Sequence, residues 1–176
     1  THWDENRTDW LLGTTLLAPQ TDLDYVIDGI NVHRVGLTYQ EKIKILPYVL
    51  TYYSMMRRAL PPIADCFAQH LQPYAVRADL IHNVRIGREG LSYASLQIAR
   101  QHDIPFVFTP LHHPRWVGWR YQAYIKLYRM ADRLIALTDT EKRLLIQFGV
   151  LEDRITVSGT GPVLAVEAHP ATFLEK

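Results

Sequence analysis

The sequence predicts an α/β domain in which a mainly parallel sheet is flanked by helices. Three observations carry this reading. From Asp79 onward, short apolar runs alternate with stretches of helical period, and the connections between them are short. Such alternation builds βαβ units and a parallel sheet. Thr138 with Glu141 three residues later opens a helix directly after an apolar run, in the pattern of a capping box. Gly149 then stands where a helix end favours glycine.

Composition bounds the class. The chain has 176 residues, 48% of them hydrophobic and 21% charged, which suits one globular domain with a real core. A formal net charge of +1 argues against a nucleic-acid partner, which usually draws a strong basic excess. Cys66 is the single cysteine, so no internal disulfide forms and a reducing, cytoplasmic setting is expected. It lies in a helical run beside Phe67 and reads as a small buried thiol. No apolar run reaches the length of a bilayer crossing, and the opening does not read as a signal peptide.

The elements follow in order. The first residues crowd His2, Trp3, Asp4, Glu5 and Asp9 together, but their spacing fits no metal-ligand pattern, and they read as a loop. Residues 13–18 form either a short strand or a helical turn. Asp28-Gly29 between two β-rich runs is a hairpin signal, and the imperfect alternation after it suggests an edge buried on both faces. Over 38–60 the period becomes helical, placing Tyr39, Ile43, Leu46, Leu50 and Tyr53 on one core-covering face. Pro47 is expected to kink this helix or mark a restart, and Pro61-Pro62 to end it and begin a second helix over 63–71.

A short strand over 78–83 comes next, then a loop punctuated by Gly87 and Gly90. A helix over 91–102 has Leu91, Ala94, Ile98 and Ala99 on its apolar side. Strands are expected at 106–109, 133–137 and 154–158, with helices over 115–131 and from Thr138 to Phe148 between them. In a parallel sheet the positions Asn83, His112, Thr138 and Gly161 gather along one carboxyl edge, where open α/β sheets bind ligands.

The chemistry of that edge is less determined. There is no Gly-x-Gly-x-x-Gly fingerprint, no Walker-type loop and no Gly-x-Ser-x-Gly elbow. His112 and His113 stand in a turn after the strand ending at Thr109, and adjacent histidines in one turn are poor zinc ligands without further partners. An imidazole there suits a hydroxyl, phosphate or carbonyl contact; a plain turn histidine is the simpler alternative. In the helix that follows, Trp116, Trp119, Ala123, Leu127 and Met130 share one face, and Val117, Tyr121, Ile125 and Tyr128 form a further apolar flank. Residues 115–129 carry basic side chains and no acidic ones. The flank reads either as a face buried against a partner domain or as a surface for an anionic membrane or lipid-linked acceptor, using Arg115, Trp116, Trp119, Arg120 and Lys126.

Several runs come in a telling order: Asp79-Leu-Ile-His, Ile104-Pro-Phe-Val-Phe-Thr with histidine shortly after, Ala131-Asp-Arg-Leu-Ile-Ala-Leu-Thr138, Phe148-Gly-Val, and Arg154-Ile-Thr-Val before a glycine turn. Over roughly residues 25–162 this order resembles the amino-terminal, acceptor-side domain of GT-B-fold retaining glycosyltransferases of family 4, group 1. The Asp28-Gly-Ile-Asn-Val-His-Arg-Val run resembles that family's strand before a long helix.

The resemblance implies a three-layer Rossmann-like domain, one half of a GT-B fold, over residues 1–162, with 163–176 starting the interdomain linker. It implies a cleft histidine near the transferred sugar, with His112 and His113 both candidates, and acceptor contacts from Asn83, Arg85, Thr138 and Gly161. The family's first strand and glycine-rich loop have no counterpart here. No cofactor is expected in this chain. The nucleotide-sugar donor is expected on a carboxyl-terminal domain of the same protein, so the chain alone is not expected to catalyse transfer. The implied partners are that domain and a sugar, lipid-linked or small-molecule acceptor, in the cytoplasm or peripherally on the inner face of the membrane. The competing class is a non-catalytic α/β binding or interaction domain.

Overall fold

A computed structural model describes residues 12, 14–84, 89–115 and 118–159, with the side chain of Arg120 outside that set. Its centre is a four-stranded sheet formed by β3 (Ile81–Val84), β4 (Phe106–Thr109), β5 (Arg133–Ala136) and β6 (Ile155–Val157), in that order and parallel throughout. Between them run α2 (Glu89–Gln101), α3 (Gln122–Met130) and α4 (Asp139–Gln147). The expected α/β sheet flanked by helices is therefore the observed one.

The core follows from strand periodicity. Phe106 and Phe108 on β4, Leu134 and Ala136 on β5, and Ile155 on β6 are all buried. They pack with Leu96 and Ala99 of α2, Tyr124, Leu127 and Tyr128 of α3, and Leu145 of α4. The alternate residues are less covered: Val107 and Ile135 are half-buried, and Arg133 and Thr156 are exposed. At the amino edge Asp132 ties three elements together. It accepts two hydrogen bonds from Arg100 at 2.8 and 2.9 Å and one from the Phe106 amide at 2.7 Å.

Ahead of the sheet, β1 (Leu23–Ile27) and β2 (Ile30–Arg34) form the expected antiparallel hairpin. Its turn residues Asp28 and Gly29 have φ of 52° and 78°, the left-handed pair that a tight Asp-Gly hairpin requires. The expectation of an edge buried on both faces is not met. Every residue of β1 is exposed, and β2 is at most half-buried, because among the described residues this sheet has two strands and joins no other. Residues 14–17 settle as a helical turn rather than a strand.

The long helical stretch differs most from expectation. A single helical segment, α1 (Tyr39–Ala75), contains all of Pro47, Pro61, Pro62 and Pro73, yet its one non-helical residue is Met55, at φ −134° and ψ 41°. There the helix folds back. Glu41 and His70 would stand about 44 Å apart along a straight helix, but Oε1 of one and Nε2 of the other lie 2.8 Å apart. Ile45 and Tyr48 of the first limb likewise share a groove with Pro62, Cys66 and Gln69 of the second. Two helices are thus present, but the break precedes the proline pair. A proline lacks an amide for the carbonyl four residues back and crowds the turn before it, so Pro61 and Pro62 weaken the turn upstream. Pro47 removes a single rung and leaves its limb helical.

The face assignment in the first limb is also reversed. Ile45, Val49 and Tyr52 are buried, whereas Tyr39, Ile43 and Leu50 are 69%, 53% and 71% exposed, with Leu46 and Tyr53 on the same open side. Both faces of this limb are apolar, so periodicity alone does not choose between them. Its start is a full capping box absent from the sequence reading: the Thr38 hydroxyl accepts from the Glu41 amide, and Glu41 accepts from the Thr38 amide at 2.7 Å.

Other boundaries move less. The third strand begins at Ile81 rather than residue 78, and Gly90 belongs to α2 rather than to a loop. A Cβ on Gly90 would meet Ile63 Cγ2 at 2.8 Å, so glycine there lets α2 approach the second limb. The helix expected from residue 115 starts only as a 3-10 turn (Trp119–Tyr121), because Gly118 at φ 97° interrupts it. The boundary expected at residue 162 lies outside the described residues.

Side-chain pairs hold the hairpin and the two limbs in register. Asp22 accepts from the Gly36 amide at 2.6 Å and lies 3.5 Å from both His33 and His70. The His33 ring stacks on Tyr74 with centroids 4.5 Å apart. Burial raises the Asp22 carboxyl, but the Gly36 amide and the two histidines outweigh it and hold the group below its ordinary 3.8. Glu41 is likewise raised by burial and lowered further by Thr38 and His70, ending below 4.5. Arg100 and the Phe106 amide depress Asp132 against a smaller effect of burial.

Two outcomes check this account. Ile45→Ala should cost about 2–5 kcal/mol in urea unfolding, while Leu50→Ala should stay within about 0.5 kcal/mol; comparable losses would contradict the assigned faces. The three depressed carboxyls stabilise the fold above their unfolded values and lose that contribution as pH falls through their lower folded values. Melting temperature should therefore hold down to the ordinary carboxylate range and drop below it. Asp22→Asn with Glu41→Gln should flatten that acid limb, as thermal melts across a pH series would show.

Candidate functional site

Because every strand pair in the main sheet is parallel, the loops after β3, β4, β5 and β6 leave from one edge. The β4 loop is the most constrained. Thr109 is buried, and its hydroxyl lies 2.8 Å from His82 Nε2 on β3. Pro110 is fully buried, and Leu111 sits at φ 54°, a left-handed conformation costly for a branched side chain. The turn then delivers His112 inward and His113 outward.

His112 is 5% exposed. Its ring meets Tyr128 edge-on at 5.6 Å and Phe148 at 5.0 Å, and Nδ1 lies 2.8 Å from the Tyr128 hydroxyl. Burial, then the charges of Glu141 and Glu89, push the Tyr128 phenol well above its ordinary value, so it keeps its proton. The hydroxyl and Nδ1 share one hydrogen bond, whose direction follows the tautomer of the ring. The His112 amide donates to Glu141 Oε1 at 2.7 Å.

Glu141 is the junction of the edge. It is buried, and its second oxygen accepts from the Leu137 amide at 2.8 Å. Its own amide donates to the Thr138 hydroxyl at 3.1 Å. The capping box expected here is therefore only half formed. Thr138 caps α4, but the glutamate side chain reaches past the Thr138 amide to Leu137 and across to His112. One carboxylate joins the loop after β4 to the loop after β5.

His113 is exposed, and its Nδ1 accepts from the Arg115 amide at 3.2 Å. Thr138 is exposed beside the junction. Asn83 lies inside β3, opposite Phe108 and one residue short of the strand's end. It is half-buried, and its Nδ2 has no hydrogen-bond partner among the described residues. The structure thus joins His112 and Thr138 through Glu141, with Asn83 one strand away from the β4 turn. Arg85 and Gly161 lie outside the described residues. Among those described, no group of three or more His, Cys, Asp or Glu side chains is arranged to hold a metal ion.

The basic aromatic segment divides. Trp119 is 58% exposed, and Arg115 and Lys126 are exposed. Trp116 and Val117, and the side chain of Arg120, lie outside the described residues. The supposed extra flank of the helix is used internally, since Ile125 and Tyr128 are buried and Tyr121 is half-buried. On the other apolar face of α3 Ala123 and Leu127 are buried as well, while Met130 is exposed.

Three features of this part of the structure are not visible in the sequence. Glu141 was legible only as a helix cap, because nothing local marks a bond to a residue 29 positions away. Tyr128 was read as part of a docking flank. Glu89, buried at the start of α2, lies near Tyr52, Tyr93 and Tyr124, whose phenols are pushed up by burial and then by its charge. The lone thiol matches expectation: burial, followed by the charge of Glu41, raises Cys66 to about 11 and leaves it inert.

Glu141→Ala should cost about 1–3 kcal/mol, because it strands the buried His112 amide and the half-buried Leu137 amide. Tyr128→Phe, which removes one hydroxyl, should cost about 1 kcal/mol. Chemical denaturation of both variants checks the order, and a smaller loss for Glu141→Ala would contradict it.

Comparison with known proteins adds one positive finding. A family model described as a glycosyl transferase 4-like domain matches residues 11–161. No curated protein matches the chain. The match spans the hairpin, the folded-back helix and the whole parallel sheet, and the chain belongs to the glycosyl transferase 4-like domain family.

Proposed function

We propose that the chain is the acceptor-side domain of a glycosyltransferase that moves a sugar from a nucleotide-sugar donor, with retention of configuration. The family match over residues 11–161 is the observation that carries this reading. The donor belongs to a carboxyl-terminal domain of the same protein, and the acceptor is a sugar, lipid-linked or small molecule held at the carboxyl edge of the sheet. The full protein works in the cytoplasm.

Geometry separates the two histidines within this reading. His112 is packed between Tyr128 and Phe148 and bonded through its amide to Glu141, so it is a positioning residue. His113 leaves the same turn into solvent and is the substrate-facing imidazole. A neutral or protonated ring at that point suits contact with a sugar hydroxyl or a phosphate oxygen. Thr138 is exposed after the end of β5, and Asn83 is half-buried one residue before the end of β3.

The test uses the full-length protein with a panel of nucleotide sugars, following donor consumption and the anomeric configuration of the product. His113→Ala should lower kcat/KM by at least about a hundredfold with an unchanged melting temperature. His112→Ala should lower the melting temperature as well. Full activity in His113→Ala would remove it from the site, and an inverted product would overturn the retaining assignment.

A further inference from the structure

We propose that the groove at the reversal of α1 binds a sugar that carries a phosphoryl group. The inference rests on the acceptor-side reading and narrows its class of acceptor. Tyr53, Ser54, Arg57 and Arg58 from the reversal meet Trp119 and Gln122 around a groove of about 380 Å³. Small-molecule sites fall in the range of roughly 300–1,000 Å³. Its place follows from the topology. Strand β4 ends at the carboxyl edge and α3 runs back from there, so Gln122 at the helix start and Trp119 just before it lie at that edge. The groove therefore opens where the loop carrying His113 leaves the sheet.

Charge selects the ligand. The sequence has no acidic residue between Glu41 and Asp65, and none between Asp103 and Asp132, so neither wall of the groove supplies a carboxylate. Glu89, which lies near Tyr52 and Tyr124, is buried among their phenols. Arg57 and Arg58 are both exposed. Among the described residues, the arginine and lysine ion pairs are Arg100 with Asp132 and Lys142 with Glu152. Two guanidinium groups thus border one groove with no carboxylate of the described domain to balance them, and an anion relieves their repulsion. One guanidinium fork fills both oxygens of a carboxylate, whereas a phosphoryl group has three terminal oxygens and takes two forks. Two arginines together match the phosphoryl group better.

The rest of the lining suits the sugar. Trp119 is 58% exposed and Tyr53 is exposed beside it in the groove, so aromatic faces are open to the C–H face of a pyranose ring. The Gln122 amide is exposed and both donates and accepts. Ser54 donates its proton to the Thr51 carbonyl at 2.9 Å, which leaves its oxygen as an acceptor for a hydroxyl. Aromatic walls with a few placed polar groups and one charged end are the usual make-up of a small-molecule site. Within the acceptor-side reading the nucleotide is held by another domain, which leaves a sugar as the ring at Trp119. A free sugar phosphate and the same group at the head of a lipid offer this groove the same contacts.

The test is calorimetric titration of the full-length protein with glucose 6-phosphate and a short-chain alkyl phosphodiester of glucose. Glucose, glucuronate, uridine monophosphate and inorganic phosphate are the comparisons. One of the two phosphate-bearing sugars should bind at least about tenfold more tightly than any comparison, and added salt should weaken it. The tighter of the two names the source, free or lipid-linked. Arg57→Gln with Arg58→Gln should remove at least about tenfold of that affinity. Trp119→Ala should weaken the sugar phosphate and leave inorganic phosphate unchanged. Arg77→Gln, an exposed arginine just beyond the far end of α1, should bind like the wild type, with circular dichroism showing every variant folded. Three results would overturn the proposal: no binding of either sugar phosphate, binding that survives the double arginine variant, or a comparison ligand that binds as tightly. Transfer to a neutral acceptor without binding at the arginines would sink this inference alone. Binding there by a protein that transfers sugar from no donor would remove the sugar-transfer reading and leave the groove.

Discussion

The bond on which the carboxyl edge depends is the one from the Glu141 carboxylate to two main-chain amides on different loops. A buried carboxylate is tolerable only when its oxygens are filled, and these are filled by His112 and Leu137 at 2.7 and 2.8 Å. The arrangement needs the Leu111 backbone in a left-handed conformation so that the turn presents its amide inward. The same turn puts one imidazole against Tyr128 and Phe148 and its neighbour outside. Asp132 has the matching role at the other end of the sheet, where it binds Arg100 and the Phe106 amide. Two carboxylates therefore pin β4 against β5 at both ends, and the loop carrying the histidines is held by the sheet rather than by its own contacts.

Helix α1 supplies the second constraint. Its return at Met55 stacks one limb on the other and leaves the outer limb with an apolar face that no described residue covers. The reversal also brings Met55 and Met56 beside Trp119, close to the segment that follows the histidine turn.

Much of the sheet was legible because its signals are local. The apolar run of β4, the Asp-Gly turn, the Thr138 cap and Gly149 each act within a few residues, and each element formed where they pointed. The hairpin's exposure, the reversal at Met55 and the reach of Glu141 were not legible, for one shared reason. Each is decided by what lies across from the residue in space. Ile45, Val49 and Tyr52 and their mirror stripe have equal claim to the core by period, and only the second limb chooses between them. Glu141 satisfies the capping pattern equally well whether it bonds Thr138 or a histidine turn 29 residues upstream. At the site, the adjacency of His112 and His113 was readable, but not which of them faces solvent.

Native-state hydrogen exchange at the His112 and Leu137 amides tests the bridge most directly. If one carboxylate holds both loops, the two amides are strongly protected in the wild type. They should then lose protection together in Glu141→Ala, which removes both acceptor oxygens, while amides at the β4–β5 amino edge around Phe106 keep theirs. Unchanged protection at His112, or loss at Leu137 alone, would mean that the histidine turn is held by something other than Glu141.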